Sequence, residues 1–204
     1  MQEQIYIQKQ AVLKQRALSI DDMPLYQGER DSFAVDFFQK LYKFLNINYL
    51  RFFKMDMLSK TLFLASEALL KDSGLPSIEQ RMHVALTLFN SHSSLYTDKQ
   101  FQATIQSDAF FPSPSLFTYT LPNIALAEVA IRNKFMGENC TFIAPKFDAK
   151  QCVDYVNALI NKKIYSHVIC GWFDFIDDRE EAELLLISKD KTDKIFNINN
   201  VEKK

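Results

Sequence analysis

MGENCTFIAPKFDAKQCVDYVNALINK, residues 136 to 162, reads as strand, tight turn and helix. Cys140 to Ala144 is a short apolar run of strand character, Pro145-Lys146 is a tight turn, and Asp148 to Asn161 repeats its apolar residues at helical spacing. A glycine-led strand that stops at the N-terminus of a buried helix suits acyl transfer. The helix end lowers the pKa of a thiol placed there, and its free N–H groups can bind an oxyanion. Pro145 and Lys146 occupy the turn instead, and neither a proline nor a protonated lysine replaces that thiol.

Outward from this stretch, helical and strand patterns alternate, as an α/β sheet requires. Ile5 to Leu13 alternates like a strand. Ser32 to Asn46 follows as a helix with Phe33, Phe37, Leu41, Phe44 and Leu45 on one stripe. Lys54 to Lys71 is predicted as a second helix closed by Gly74 and Pro76. Val84 to Phe89 reads as a strand, Asp98 to Gln106 as a short helix, and Leu121 to Lys134 as a longer helix entered through Pro122. Ser166 to Gly171 and Glu183 to Lys189 supply two further strands. The expected architecture is one mixed sheet of about five strands with helices on both faces, in a single domain over residues 1 to 204. The polar stretch from Lys189 to Lys204 is expected to be a short strand or a frayed tail.

The helix from Asp148 carries Ala149, Cys152, Val153, Tyr155, Val156, Leu159 and Ile160 on one side, and Lys150, Gln151, Asp154, Asn157 and Asn161 on the other. One face therefore expects water or a polar partner surface. An ordinary amphipathic helix of an unrelated α/β domain has the same periodicity.

Several stretches carry a resemblance in a consistent order. Ser113 to Lys134, SPSLFTYTLPNIALAEVAIRNK, followed by Gly137-Glu138-Asn139, resembles the N-terminal half of β-ketoacyl synthases, where a proline-asparagine helix leads into the nucleophile strand. Lys54 to Leu75 is similar to the family's early helix with its Asp-x-Gly-Leu cap, and His83 to Ser94 to the following strand and small-residue loop. Tyr165 to Asp174 and Glu183 to Ser188 are similar to the last two strands of that half. The resemblance, over roughly residues 50 to 190, implies a half thiolase-like fold whose nucleophile position is vestigial, at Pro145 and Lys146. The family's two catalytic histidines and glycine-rich gating loop belong to its C-terminal half, which this chain is expected to lack. His83, His92 and His167, read as lying in a strand, a loop and a strand, match no family catalytic position.

Composition excludes other classes. With 204 residues, 48% hydrophobic content and a net charge of -1, the chain has no electrostatic footprint for nucleic acid or an anionic membrane. No apolar run reaches the roughly 20 residues of a membrane span, and MQEQIYIQKQ lacks the order of a signal peptide, so a cytoplasmic protein is expected. Cys140, Cys152 and Cys170 lack metal or redox spacing and read as buried free thiols. No cofactor or metal is implied.

Other motifs weigh less. Asp174, Asp177, Asp178, Glu180, Glu181 and Glu183 lack the alternation and glycine of a calcium loop and read as a solvated turn, where the family carries a longer insertion. Ser91-His92-Ser93-Ser94 reads as a loop rather than a catalytic serine-histidine pair. Phe110, Phe111, Phe117 and Tyr119, set among Pro112, Pro114 and Pro122, are the aromatics of an interface hot spot as well as of a core.

The resemblance implies a catalytically inactive, chain-length-factor-like subunit that pairs with an active β-ketoacyl synthase in a type II system making polyene, polyketide or fatty acyl chains on an acyl carrier protein. Its partner-interface or tunnel residues would be Phe117, Tyr119, Leu121, Cys140, Thr141, Phe142 and Ile143. The alternative is a free-standing, homodimeric module that binds an acyl carrier protein or acyl-CoA. A third reading, an active acyltransferase using Cys152 or Cys170, places the thiol where no helix N-terminus activates it.

Overall fold

The computed structural model describes residues 4–73, 75, 82–105, 111–162 and 164–202. Its centre is a seven-stranded mixed sheet of order β3-β2-β1-β7-β6-β4-β5. The strands are β1 (Tyr6–Lys14), β2 (Ala17–Ile20), β3 (Met23–Gln27), β4 (Val84–Asn90), β5 (Asn139–Ile143), β6 (His167–Ile176) and β7 (Arg179–Ser188). β5, β4 and β6 run parallel, while β6, β7, β1, β2 and β3 are joined antiparallel.

The five expected strands are all present, and β2 and β3 extend the sheet beyond the expected count. These two were missed because of their turns. Lys14 pairs with Ala17 and Ile20 with Met23, so the turns hold only Gln15-Arg16 and Asp21-Asp22. All four turn residues have positive φ, the geometry of tight hairpins that glycine or asparagine usually marks.

Helices cover both faces. α1 (Ala34–Phe44), α2 (Met57–Leu70) and α5 (Asn123–Asn133) pack on one face around Phe38, Leu62, Phe63 and Phe173. α6 (Ala149–Asn161) and the short α7 (Ile198–Val201) pack on the other around Phe89, Val156, Cys170 and Ile187. A 3-10 turn (Leu50–Lys54) precedes α2, and α3 (Leu95–Gln102) and α4 (Pro114–Thr118) lie between β4 and α5.

α2 is buried nearly all round, because it runs between the sheet and α5. It starts at Asp56, whose carboxylate accepts from Ser59 N at 2.9 Å and Thr97 Oγ1 at 2.6 Å. The single helix expected from Lys54 is thus a 3-10 turn, a break at Asp56 and a helix, while Gly74 and Pro76 lie outside the described residues.

Two further expectations change. On α1 the stripe shifts: Phe37 and Leu41 are buried with Ala34, Phe38 and Tyr42, whereas Phe33 and Phe44 are exposed. The stretch from Lys189, expected as a short strand or a frayed tail, makes a single bridge and the short helix α7 within the described residues. Tyr6 bridges to Ile195, and Phe196 and Val201 bury their side chains against the α6 side of the sheet.

Candidate active-site turn and edge strand

The candidate site begins at Gly137, where a Cβ would sit 2.2 Å from the Val84 carbonyl oxygen. Only glycine lets the chain pass this close to β4 before pairing with it. β5 then runs parallel to β4 with Cys140 opposite Thr87 and Phe142 opposite Phe89. Phe142 stacks on Phe89 with ring centroids 4.8 Å apart and meets Tyr155 edge-on at 5.2 Å. Ala144 N donates to Asn90 O at 3.0 Å, after which Pro145 and Lys146 turn the chain into α6.

Asp148 caps that helix, accepting from Gln151 N at 2.8 Å. The turn, Phe147 and the β6–β7 pair enclose a cavity of about 280 Å3, with Trp172, Glu181 and Leu185 on its sheet side. Sequence reasoning found Pro145 and Lys146 but missed those three. Pairing of Trp172 with Glu183 in a tight hairpin brings the opposite wall into place, and that pairing had no glycine turn to announce it.

Pro145 and Lys146 are exposed at the cavity mouth. The expected strand-turn-helix is present, and the residues at its turn offer no thiol or hydroxyl. The three cysteines are free. Cys152 and Cys170 lie fully inside, and burial against Cys152 raises the Cys170 thiol well above its ordinary range. Burial and the Glu138 carboxylate also raise the half-buried Cys140 thiol. A protonated thiol is a poor nucleophile.

The acidic run does not form a solvated turn throughout. Asp177-Asp178 is a two-residue hairpin turn with both φ positive, and Glu180 beside it is 3% exposed. Arg16 Nη1 pairs with Glu180, Arg16 Nη2 with Asp178 Oδ2 at 2.7 Å, and Ala34 N donates to Asp178 at 3.1 Å. These carboxylates fasten two hairpins and the start of α1 to one guanidinium. Among the described residues no group of three or more His, Cys, Asp or Glu is placed to hold a metal.

Asp174 is likewise buried, and it collects the Ser91-His92 loop. Its Oδ2 accepts from Ser91 Oγ at 2.6 Å and lies 2.7 Å from His92 Nδ1, while Ser91 Oγ lies 2.8 Å from the same Nδ1. A serine-histidine relay needs the two imidazole nitrogens to face opposite partners. Here serine and aspartate share one nitrogen, so the cluster orders the loop without activating Ser91. His83 precedes β4 rather than lying in it, and His167 opens β6.

The expected interface residues separate into two groups. Phe117 is 62% exposed and Leu121 58%, with Phe117 resting on Phe101 at 5.5 Å. Tyr119 is instead buried, its hydroxyl donating to Glu128 Oε1 at 2.9 Å, and burial with that carboxylate drives its pKa up. It therefore does not project with Phe117. β5 is an edge of the sheet, with Ile143 half-exposed and the Thr141 hydroxyl buried without a hydrogen-bond partner among the described residues. Phe110 lies outside the described residues, and Phe111 is exposed.

No protein-family profile matches the chain, and no curated protein matches it. Solved structures do. The chain is similar to the ishigamide ketosynthase/chain length factor at a TM-score of 0.66 and 14% identity, over 94% of this chain and 64% of that one. Similarity to a ketosynthase (ApeO) in complex with its chain length factor (ApeC) from Xenorhabdus doucetiae has a TM-score of 0.57 and 14% identity, over 91% of this chain and 79% of that one. A β-ketoacyl synthase from Burkholderia phymatum STM815 gives a TM-score of 0.58 at 11% identity, over 91% and 59%. The chain has a thiolase-like ketosynthase fold and spans about two thirds of the ishigamide protein's length. No helix among the described residues is long and apolar enough to cross a membrane.

Proposed function

We propose that this chain is a catalytically inactive ketosynthase-like subunit that pairs with an active β-ketoacyl synthase and shapes its acyl tunnel, in the manner of a chain length factor. The system would build polyene, polyketide or fatty acyl chains on an acyl carrier protein in the cytoplasm, with residues 1 to 204 acting as one domain. The observation that carries the proposal is the turn between β5 and α6. It has the frame for a nucleophile at a helix N-terminus but presents Pro145 and Lys146. The partner would supply cysteine and histidines. The β5 edge with Cys140, Thr141, Phe142 and Ile143, together with Phe117 and Leu121, would form the shared surface, with Tyr119 supporting it from within.

Co-expression with candidate ketosynthases followed by size-exclusion chromatography tests the pairing. A stable one-to-one complex is expected, active in condensing acyl and malonyl thioesters, with no turnover by this chain alone. Turnover by the isolated chain that survives Cys152→Ser and Cys170→Ser would refute inactivity. The cavity beside Lys146 favours one other reading, a homodimeric acyl carrier protein or acyl-CoA binder. A homodimer that ignores every ketosynthase offered would select it.

A further inference from the structure

The 3-10 turn before α2 sorts its side chains into three stripes, because residues three apart eclipse one another in that helix. Phe52 and Met55 point into the core, Leu50 and Phe53 point outward, and Arg51 and Lys54 make the third stripe. The cationic stripe faces α4 across a cavity of about 430 Å3, with Ser115 and Thr118 on the far wall and Tyr119 also lining it.

The arginine is aimed rather than loose. Glu128 on α5, its side chain 1% exposed, accepts from Arg51 Nε with Oε1 at 3.0 Å, and its Oε2 lies 2.8 Å from the same nitrogen as an ion-pair contact, with no hydrogen bond of its own among the described residues. Tyr119 OH donates to the same carboxylate. The pair holds the guanidinium by one edge and raises the Arg51 pKa. Arg51 Nη1 and Nη2, the Lys54 ammonium and the Ser115 hydroxyl have no partner among the described residues, whereas Thr118 Oγ1 donates to Pro114 O at 3.1 Å. Arg51 and Lys54 against Glu128 leave one net positive charge at the cavity wall, while the Asp56 carboxylate, whose charge also reaches Tyr119, lies buried behind it with the Lys60 charge nearby.

We propose that this cavity binds a phosphoryl group carried by a small organic molecule, a role separate from pairing with a ketosynthase. A guanidinium fork and a point-charge ammonium from one wall, with a hydroxyl from the other, offer donors along directions that are not coplanar. That arrangement suits a tetrahedral oxyanion better than a planar carboxylate, which one arginine satisfies alone. The cavity is far larger than a phosphate, and exposed Leu50 borders it, so the rest of the ligand has an apolar contact to make.

The test follows backbone and arginine side-chain resonances of the full chain, at constant ionic strength, with inorganic phosphate, phenyl phosphate or acetate. Phosphate is expected to give saturable shifts at Arg51, Lys54, Ser115 and Thr118, and phenyl phosphate to saturate at lower concentration. Lys54→Gln should weaken both by roughly tenfold or more, a change read directly from the titration midpoint, and Ser115→Ala by less. Both side chains are exposed and have no partner among the described residues, so the rest of the spectrum should not move. Shifts that do not saturate, equal binding by Lys54→Gln, or acetate binding as tightly as phosphate would each overturn the assignment. None of these outcomes depends on whether a ketosynthase binds.

Discussion

Phe117 and Tyr119 are two residues apart in opposite environments, one exposed and one buried, and one pair of substitutions separates the roles proposed for them. Phe117 is 62% exposed, so about two fifths of its ring is withdrawn from water. Since fully burying a phenylalanine is worth about 1.5–3 kcal/mol, Phe117→Ala should cost about 1 kcal/mol, including its contact with Phe101. For a chain of this length that is a fall of about 2–4 °C in Tm, small enough to leave a complex intact. Tyr119→Phe removes a donor from buried Glu128 and should cost about 1–3 kcal/mol, although Arg51 still holds the carboxylate. The assay is the product-length distribution of the purified ketosynthase complex, with a thermal scan of each variant. If Phe117 limits the partner's tunnel, Phe117→Ala should lengthen the products at nearly unchanged stability. Tyr119→Phe should lower stability at unchanged length. A stable Phe117→Ala complex making products of the original length would refute the tunnel role, and lengthening by Tyr119→Phe alone would show the assignment reversed.

Glu180→Ala leaves Arg16 buried with only Asp178 to balance it and should cost about 3 kcal/mol, read as a lower urea midpoint; a loss below about 1 kcal/mol would mean the pair contributes little. Burial raises the Asp56 pKa despite its hydrogen bonds to Ser59 and Thr97, so its protonated form favours the folded state. That contribution is complete below the unfolded value of about 3.9 and is lost as pH rises through the folded value. Urea midpoints should therefore show wild type gaining on Asp56→Asn as pH falls from neutrality toward that window, and parallel curves would contradict the burial argument. Thr141→Pro removes a backbone donor from β5 and should abolish ketosynthase binding, measured by size exclusion; a folded variant that binds with unchanged affinity would remove this strand from the interface.

What the sequence made legible was what local pattern determines. The strand-turn-helix from Cys140 to Asn161 was found because an apolar run, a proline and an amphipathic repeat adjoin in that order, and α6 buries the side that the pattern picks out. The hairpins were not legible, because their turns are Gln15-Arg16, Asp21-Asp22 and Asp177-Asp178, where no glycine marks the positive φ. Two of these turns are joined by the pair between Arg16 and Asp178, residues 162 positions apart, and no local pattern reports such a contact. The same limit hid Tyr119: its exposed-looking aromatic segment gave no sign that Glu128, nine positions on, would draw its hydroxyl inward. Arg51 and Lys54 are not legible because the sequence pattern predicts a helix from Lys54 onward, whereas their eclipsed alignment belongs to a 3-10 turn.

The two edges of the sheet are treated differently, and the difference bears on the partner. β3 carries Pro24 within a five-residue strand, and its pairing with β2 shifts register between Leu18 and Ser19. A proline and an irregular register are means by which an edge discourages further strands. β5, Asn-Cys-Thr-Phe-Ile, has no proline, no charge and no irregular register against β4. Its Ile143 is half-exposed, and its Thr141 hydroxyl is buried without a hydrogen-bond partner among the described residues. An edge of that composition is an aggregation hazard unless something pairs with it or covers it. A ketosynthase laid against β5 would remove the hazard, which is why one substitution at Thr141 is a sharper test of the proposed pairing than any change on the exposed face of α6, where Lys150 and Asp154 already face water.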